Sequence, residues 1–440
     1  MAEDIDISSI SNKLYEIVNH QIGSKEIIQL RRTADTIDQK LENEHHRFCN
    51  HDLLNSGSRA EGFRFPTSDT DIMIVYYDVT VMMDDATIQP LANVVVKMET
   101  DETRPGFCML RFMPRNDFLD LYTDITEMCV HYKDGFYLSN TFWKGTFKGY
   151  IQDSYTHGPC ETGILDFFET DIAHCLKCKW PKSAYSCIPT LVRTRWPSFH
   201  HLSDIVKNGC HIVAIGDKTS GNEFLEWRIS FSEAEKSLIH AMNHCQFLTY
   251  GLLKMFLKEA INTRMRPEVD GLLCSYFLKT TVMWEIVYSG SAWKEPDLLK
   301  WFLICFRRLL SWVSNGYCPN FFIPENNMFL GKIYGRSQQN LLSHLASLYR
   351  IGYKCLLGCS SFFVEFCEVL CQPKNVVLSR VDGDSTDICL NIICEIADRV
   401  HYHGTISSIL RFIPILEIMI RENDTSIGNV VLNSYLQQCK

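Results

Sequence analysis

The sequence predicts an α/β (α+β) chain in two lobes, a mixed-sheet lobe followed by an all-helical one. Between about residues 55 and 215, short runs rich in β-branched and aromatic residues ("DIMIVYYDVTV", "NVVVKMET", "FCMLRFM", "DIAHCLKC", "HIVAI") are punctuated by "RPG", "HGPCETG" and two Trp-Pro steps, the rhythm of strands and turns. After about residue 232, apolar residues recur at helical spacing almost throughout. The chain has 440 residues, 46% of them hydrophobic and 22% charged, enough for two to three lobes at roughly 100–200 residues each.

The elements follow in order. Over residues 1–50, Ile10, Leu14, Ile17, Val18, Ile27, Ile28, Ile37 and Leu41 sit at helical spacing, which predicts one long helix, kinked or broken at Gly23-Ser24. Its polar side carries Lys25, Arg31, Arg32 and Lys40, with Arg47 just beyond. That side reads either as a solvated face or as a platform for phosphate backbones. Residues 51–231 form the sheet lobe and residues 232–350 the helical lobe, with "SEAEKSLIHAMNHCQFLTYGLLKMFLKEAI", "GLLCSYFLKTTVMWEIVY", "PDLLKWFLICFRRLLSWVSNG" and "SQQNLLSHLASLYRIGYK" as its helices. Residues 351–440 read as a helical extension around a polar break, "SRVDGDSTD", which lacks the calcium-loop pattern and predicts only a loop.

The formal net charge of -9 requires any polyanion to be met by a local basic face. The start, "MAEDIDISSISNK", has no basic segment leading into an apolar core, and no apolar run approaches the ~18 residues of a membrane span, so the expectation is a soluble, cytoplasmic chain with no membrane partner. Nineteen cysteines then read as reduced thiols, mostly buried. Cys175 and Cys178 lack a second pair at zinc spacing, and the sequon at Asn423 carries no meaning in that compartment.

The chemistry concentrates in "GSRAEGFRFPTSDTD", ahead of the apolar run from Ile72 to Tyr77. Asp69 and Asp71 alternate, so on a strand both carboxylates face one spot, with Cα atoms about 6.5–7 Å apart. At an effective dielectric of 20, two such charges repel by about 2 kcal/mol, and a sheltered pair calls for a cation, best a hard oxygen-ligated one such as Mg²⁺ or Mn²⁺. Gly57 and Ser58 lie upstream, far enough for the chain to double back and place a backbone N–H and a hydroxyl over phosphates. Carboxylates holding two ions beside such a loop are what in-line displacement at phosphorus needs. The plain alternative is a surface turn leading into a strand, since Ser, Thr and Asp are turn formers. Asp171 in "ETDIAHCLKC" is the candidate third carboxylate, bridging the ions and acting as base or base-positioner, with Glu169 as runner-up.

In "EWRISFSEAEKSL", Arg228, Ser230 and Ser232 alternate along an extended run, and Arg228 calls for an anion such as a triphosphate. Ser232 and Glu235 also have the spacing of a capping box. Lys254 in "LLKMF" and Ser275, Tyr276 and Lys279 in "SYFLKT" suit phosphate binding and base stacking, or are helix side chains that snorkel to solvent.

These segments in combination resemble the cyclic GMP-AMP synthase-like receptors of the Mab-twenty-one nucleotidyltransferase superfamily. The matching stretches run in order from about residue 55 to 330: "GS" before "DTDIMI", "HGPCETG" before "ETDIAHCLKCKWP", "RWPS", "GCHIVAIG", "EWRISFSEAEKSL", "SYFLKT" and "FFIPENNMF". The resemblance implies a bilobed nucleotidyltransferase fold, with an N-terminal spine helix and a mixed β-sheet core packed on a helical C-terminal lobe. It implies that Asp69, Asp71 and Asp171 are the metal triad for two Mg²⁺ or Mn²⁺ ions. Gly57 and Ser58 match the phosphate-holding loop, and Arg228, Ser230, Ser232 and Glu235 the nucleotide-contacting strand and helix start. Lys254, Ser275, Tyr276 and Lys279 match residues that grip the donor triphosphate and stack its base.

The implied activity joins two nucleoside triphosphates, ATP, GTP or others, into a cyclic dinucleotide second messenger with release of pyrophosphate. The implied switch is a nucleic acid lying across the spine helix, at Lys25, Arg31, Arg32 and Lys40, in an innate immune sensor. Between Glu235 and Lys254 the chain lacks the His-Cys-Cys-Cys insertion of the vertebrate DNA-sensing member, and His240, His244 and Cys245 do not supply it. No zinc is therefore expected, and double-stranded RNA is favoured over DNA as activator, because RNA duplexes are gripped by shape and backbone. Two other readings remain: a catalytically idle binding or developmental protein of the same superfamily, and a nucleotidyltransferase that makes linear oligonucleotides.

Overall fold

Gly23 and Ser24 divide the spine. In a computed structural model, which describes residues 7–371 apart from residues 47, 66–67, 84–93, 115–122, 150, 152, 166–167, 264–265 and 291–292, the expected helix is two helices, α1 (Ile7–Ile22) and α2 (Lys25–His45). Gly23 takes φ +124°, a conformation that side chains disfavour, and Ser24 caps α2 by accepting from the Ile27 backbone N–H. The predicted apolar stripe of α1, Ile10, Leu14, Ile17 and Val18, lies on its buried face, which Ile22 extends.

The sheet lobe runs through β1 (His51–Ser56), the short α3 (Gly57–Glu61), β2 (Thr70–Tyr76), β3 (Val79–Met82), β4 (Val94–Glu99) and β5 (Phe107–Phe112). It continues with α4 (Thr123–Glu127), β6 (Cys129–Tyr132), β7 (Gly135–Leu138), α5 (Asn140–Thr146), β8 (Tyr155–His157), β9 (Cys160–Leu165) and β10 (Phe168–Cys178). Helices α6 (Ile188–Thr194) and α7 (Phe199–Asn208) precede β11 (Cys210–Val213) and β12 (Glu226–Ser230). The run "DIMIVYYDVTV" is two strands, broken where Tyr77 and Asp78 are exposed.

The main path of the sheet is β1-β2-β10-β11-β12-β5-β4-β3. Strands β2 and β10 pair in parallel, as do β3 and β4, while β1 with β2 and β10 with β11 are antiparallel. β10 is the pivot. On one edge it holds β2 along most of its length; on the other it pairs first with β9 and then, past Ala173, with β11. Strands buried on both faces read as near-continuous apolar runs, and Met73, Ile74 and Val75 of β2 and Ile172 to Leu176 of β10 do so, with His174 the one polar residue among them. Cys175 and Cys178 are buried free thiols of β10.

The helical lobe holds α8 (Ser232–His240), α9 (His244–Phe256), α10 (Ser275–Ser289), α11 (Leu298–Asn315), α12 (Gly335–Arg350) and α13 (Phe363–Cys371). The long helix expected from Ser232 onward is interrupted, because Asn243 and Gln246 form a reciprocal capping box that starts α9 afresh. The capping box expected at Ser232 and Glu235 is absent: Phe231 occupies the cap position without a side-chain bond, and Glu235 points elsewhere. His240, His244 and Cys245 are bonded to Ala60 O, Asn19 Oδ1 and Lys294 O. Helix α10 is buried on most of its faces. The described residues all fall in one compact unit; "SRVDGDSTD" and the remainder of the expected extension lie outside the described residues.

Candidate active site

The register of the sheet assembles the site. β10 runs parallel to β2 with Asp171 opposite Asp71, and antiparallel to β9 with Asp171 opposite Thr162. Asp69 stands just before β2, and the carboxylate oxygens of Asp69, Asp71 and Asp171 come within 4.8 Å of one another. All three residues are half-buried. Thr162 donates its hydroxyl to Asp171 Oδ1 at 2.5 Å, which fixes that carboxylate.

Three acids so close repel, and the electrostatics register it. Burial, then Asp69 and Asp171, push Asp71 up to about 7, with Lys279 acting against them. Asp69 is raised by burial and by Asp171. The neighbouring Cys160 thiol is pushed up to about 12 by burial, then by Asp171 and Asp71. A divalent cation between the carboxylates relieves this repulsion, and an all-oxygen donor set suits Mg²⁺ or Mn²⁺. The residues present therefore fit a hard dication.

Gly57 and Ser58 lie over this cluster. Ser56, the last residue of β1, pairs with Asp71, and the chain then turns into α3. Gly57 takes φ +67°, and a Cβ added there would stand 1.7 Å from Asp71 Oδ2. Only glycine leaves the carboxylate its place. Lys254 of α9 reaches across to Ser58 Oγ at 2.5 Å, with its ammonium over the ring of Phe63. Burial, with repulsion from Lys279 added, lowers Lys254 to about 8, while Glu61, Asp71 and Asp69 hold it up.

Behind Lys254 lies a buried charge network. Lys279 of α10 bridges Glu61 Oε1 at 2.5 Å and Glu235 Oε2 at 3.0 Å, with side chains 11%, 3% and 7% exposed. Burial works to lower Lys279, but Glu61 and Glu235 hold it well above its ordinary range. Tyr276 donates to Glu235 Oε1 and accepts from Asn320 Nδ2, which orients its ring. Arg228 is exposed on β12, and its charge reaches both Cys160 beside the aspartates and Tyr276. Ser230 and Ser232 share a hydrogen bond of 2.9 Å at the junction of β12 and α8, and Ser275 opens α10 next to Tyr276.

Among the expected nucleotide-site residues, direct bonds join Ser58 with Lys254, Glu235 with Tyr276 and Lys279, and Ser230 with Ser232, and Lys279 serves as a buried link between helices rather than an open cation. The spine residues divide. Lys25 and Lys40 are exposed. Arg32, expected on the polar face, is instead buried at 8% exposure, donating to Glu61 O, Ile239 O and His240 O and lying over Phe247. Arg31 donates to Ile22 O at 2.6 Å and to Gly62 O, closing the break in the spine. Arg47 lies outside the described residues. Glu61 and Thr162 escaped the sequence reading: Glu61 sits in a five-residue helix without periodicity, and Thr162 gains its part only through register.

A mixed sheet presenting three acids at the mouths of adjacent parallel strands, beside a Gly-Ser turn and a helical lobe, has the nucleotidyltransferase fold. Comparison with known proteins gives similarities over the chain's central and helical parts. The model described as the Mab-21 protein nucleotidyltransferase domain matches residues 140–241, and that of the Mab-21 protein HhH/H2TH-like domain matches residues 245–347. A cyclic GMP-AMP synthase-like receptor of Magallana gigas is 26% identical over 286 residues, 58% of this chain and 46% of that protein. The chain is thus similar to Mab-21 proteins over both matched stretches and to this cyclic GMP-AMP synthase-like receptor, and it spans about half the length of that curated relative. Asp171 lies within the first matched stretch, and Asp69 and Asp71 precede it. Among the described residues no helix is long and apolar enough to cross a membrane.

Proposed function

We propose that the protein is a metal-dependent nucleotidyltransferase that joins two nucleoside triphosphates into a cyclic dinucleotide, releases pyrophosphate, and is switched on by a nucleic acid, double-stranded RNA ahead of DNA. The observation that carries this reading is the meeting of Asp69, Asp71 and Asp171 within 4.8 Å, beside a glycine turn that a single methyl group would close. The name of the Magallana gigas relative supports the cyclic product and the receptor role.

Asp69, Asp71 and Asp171 would hold two Mg²⁺ or Mn²⁺ ions, which supply charge neutralisation at the reacting phosphorus and the departing pyrophosphate. Gly57 lets phosphate oxygens approach the backbone, and Ser58 offers them its hydroxyl. Lys254, now bonded to Ser58, is placed to turn its ammonium to the triphosphate. Arg228 offers its planar guanidinium fork to the same anion. Asp171, fixed by Thr162, is the group to orient or accept the proton of the attacking hydroxyl. Tyr276, held through its hydroxyl by Glu235 and Asn320, offers a ring face to a base, and Ser230, Ser232 and Ser275 complete the polar rim. Lys25 and Lys40 on α2 are the cations left to meet a phosphate backbone.

The test is to incubate the full chain with Mg²⁺ or Mn²⁺ and four labelled nucleoside triphosphates, with and without double-stranded RNA or DNA, and to resolve the products after phosphatase treatment. A phosphatase-resistant product that depends on RNA supports the proposal. Linear chains with phosphatase-sensitive ends replace the cyclising step, and the absence of product under every ligand overturns the enzymatic reading.

A further inference from the structure

Besides the three aspartates, one other group of possible metal ligands comes together among the described residues. We propose that His46, Cys49 and His51 form a second metal site, for a zinc-class divalent ion, that staples the end of the spine helix α2 to strand β1. Their ligand atoms lie within 4.8 Å of one another. The Sγ of Cys49 stands 3.9 Å from His46 Nδ1. Tetrahedral zinc, with bonds of about 2.0–2.1 Å to nitrogen and about 2.3 Å to sulfur, sets ligand atoms about 3.4–3.6 Å apart, so small side-chain rotations close the site.

Local structure already brings the three together. His46 caps α2 by donating its backbone N–H to Glu42 O, and Cys49 N–H donates to His46 O at 2.7 Å, folding the chain back. His51 opens β1 opposite Tyr76, and its ring lies 5.6 Å from that of Tyr76 and 5.8 Å from that of His46. With Nδ1 of His46 toward Cys49, its other ring nitrogen, Nε2, faces Glu42 Oε2 at 4.0 Å. A carboxylate behind the second nitrogen is the usual partner of a metal-bound imidazole, which it orients and makes more basic. Three protein ligands leave a fourth position for water, and Cys49 is exposed, so the ion has a path in.

This site is separate from the carboxylate cleft. β1 faces Asp71 only at its far end, through Ser56, about 17 Å along the strand from His51. The two donor sets also select differently: nitrogen and thiolate favour zinc, carboxylate oxygen favours magnesium or manganese. A zinc-class ion at this site departs from the expectation of no zinc, which was argued from the missing insertion between Glu235 and Lys254; His46, Cys49 and His51 lie outside that stretch. A metal here would hold the C-terminal end of α2, the helix carrying Lys25 and Lys40, against the strand that pairs with the Asp71 strand.

Cobalt spectroscopy reads the site directly. The full chain is stripped with a chelator and titrated with Co²⁺, then with Zn²⁺. A thiolate-to-cobalt charge-transfer band should saturate at one equivalent and be bleached by one equivalent of Zn²⁺. Cys49→Ser should abolish the band, and both Cys49→Ser and His51→Ala should weaken Zn²⁺ binding at least tenfold. Cys274→Ser, at another exposed thiol, should change neither, and Asp71→Asn should leave the charge-transfer band in place. Zn²⁺ should raise the melting temperature of the parent and not of Cys49→Ser. Absence of the band, its survival in Cys49→Ser, or unchanged Zn²⁺ affinity in both variants overturns the proposal.

Discussion

Gly57 is the most closely confined of the described glycines, with Asp71 Oδ2 1.7 Å from where its Cβ would stand. Its φ of +67° is in a region that costs a side-chain-bearing residue about 1–2 kcal/mol, and the added Cβ would displace Asp71. Gly57→Ala is expected to lower the melting temperature by a few degrees and to reduce nucleotide transfer at least a hundredfold, the second effect exceeding the first; equal activity in the soluble variant would remove Gly57 from the site. The sequence spacing made Asp69 and Asp71 legible as a pair and Asp171 as an acid at the mouth of a strand. Their meeting was not legible, because it depends on β10 lying parallel to β2 with Asp171 opposite Asp71, a pairing across a long chain separation. Thr162 and Glu61 stayed hidden for the same reason: each acts through a neighbour that only the sheet or a distant helix supplies.

At the scale of elements, α10 and α3 are joined through Lys279 and Glu61, with Glu235 of α8 as the third member. Removing one member of a buried ion network leaves its partners unpaired, which costs about 3–5 kcal/mol. Lys279→Met is therefore expected to shift the urea midpoint sharply downward, and Glu61→Gln combined with Lys279→Met to recover part of the loss; additive losses would contradict a coupled network. The apolar stripes of α1 and α11 were readable because period and burial agree, whereas the break between α8 and α9 was not, since Asn243 caps within a continuous apolar pattern. The basic face of α2 was readable only in part. Reversing Lys25 and Lys40 to Glu should weaken activation by double-stranded RNA and flatten its salt dependence, checked by product formation across a salt series. Arg32→Glu should instead destabilise the fold, because Arg32 serves buried carbonyls.

For the whole molecule, acid stability offers a test of the buried core. His174 and His211 are 4% and 1% exposed, and burial lowers both to about 4. The folded protein keeps them neutral, whereas the unfolded chain binds their protons below about 6.5. Their contribution to stability is thus complete above that pH and is lost as pH falls toward 4, with a slope of at most about 1.4 kcal/mol per pH unit for each histidine. Asp71, raised to about 7, works in the opposite sense, so the histidine share is read from a difference. Urea midpoints between pH 7.5 and 5 should fall less steeply for His211→Phe than for the parent, and parallel curves would remove His211 from the account.

The central claim is that three carboxylates gathered by β2 and β10 make this fold an enzyme. Its most direct test is pyrophosphate release from nucleoside triphosphates by the parent chain and by Asp71→Asn, with Mg²⁺ or Mn²⁺ and double-stranded RNA present and the melting temperature of each recorded. Release by the parent and a fall of at least a thousandfold in a folded Asp71→Asn protein is the predicted result; undiminished release by Asp71→Asn would contradict it.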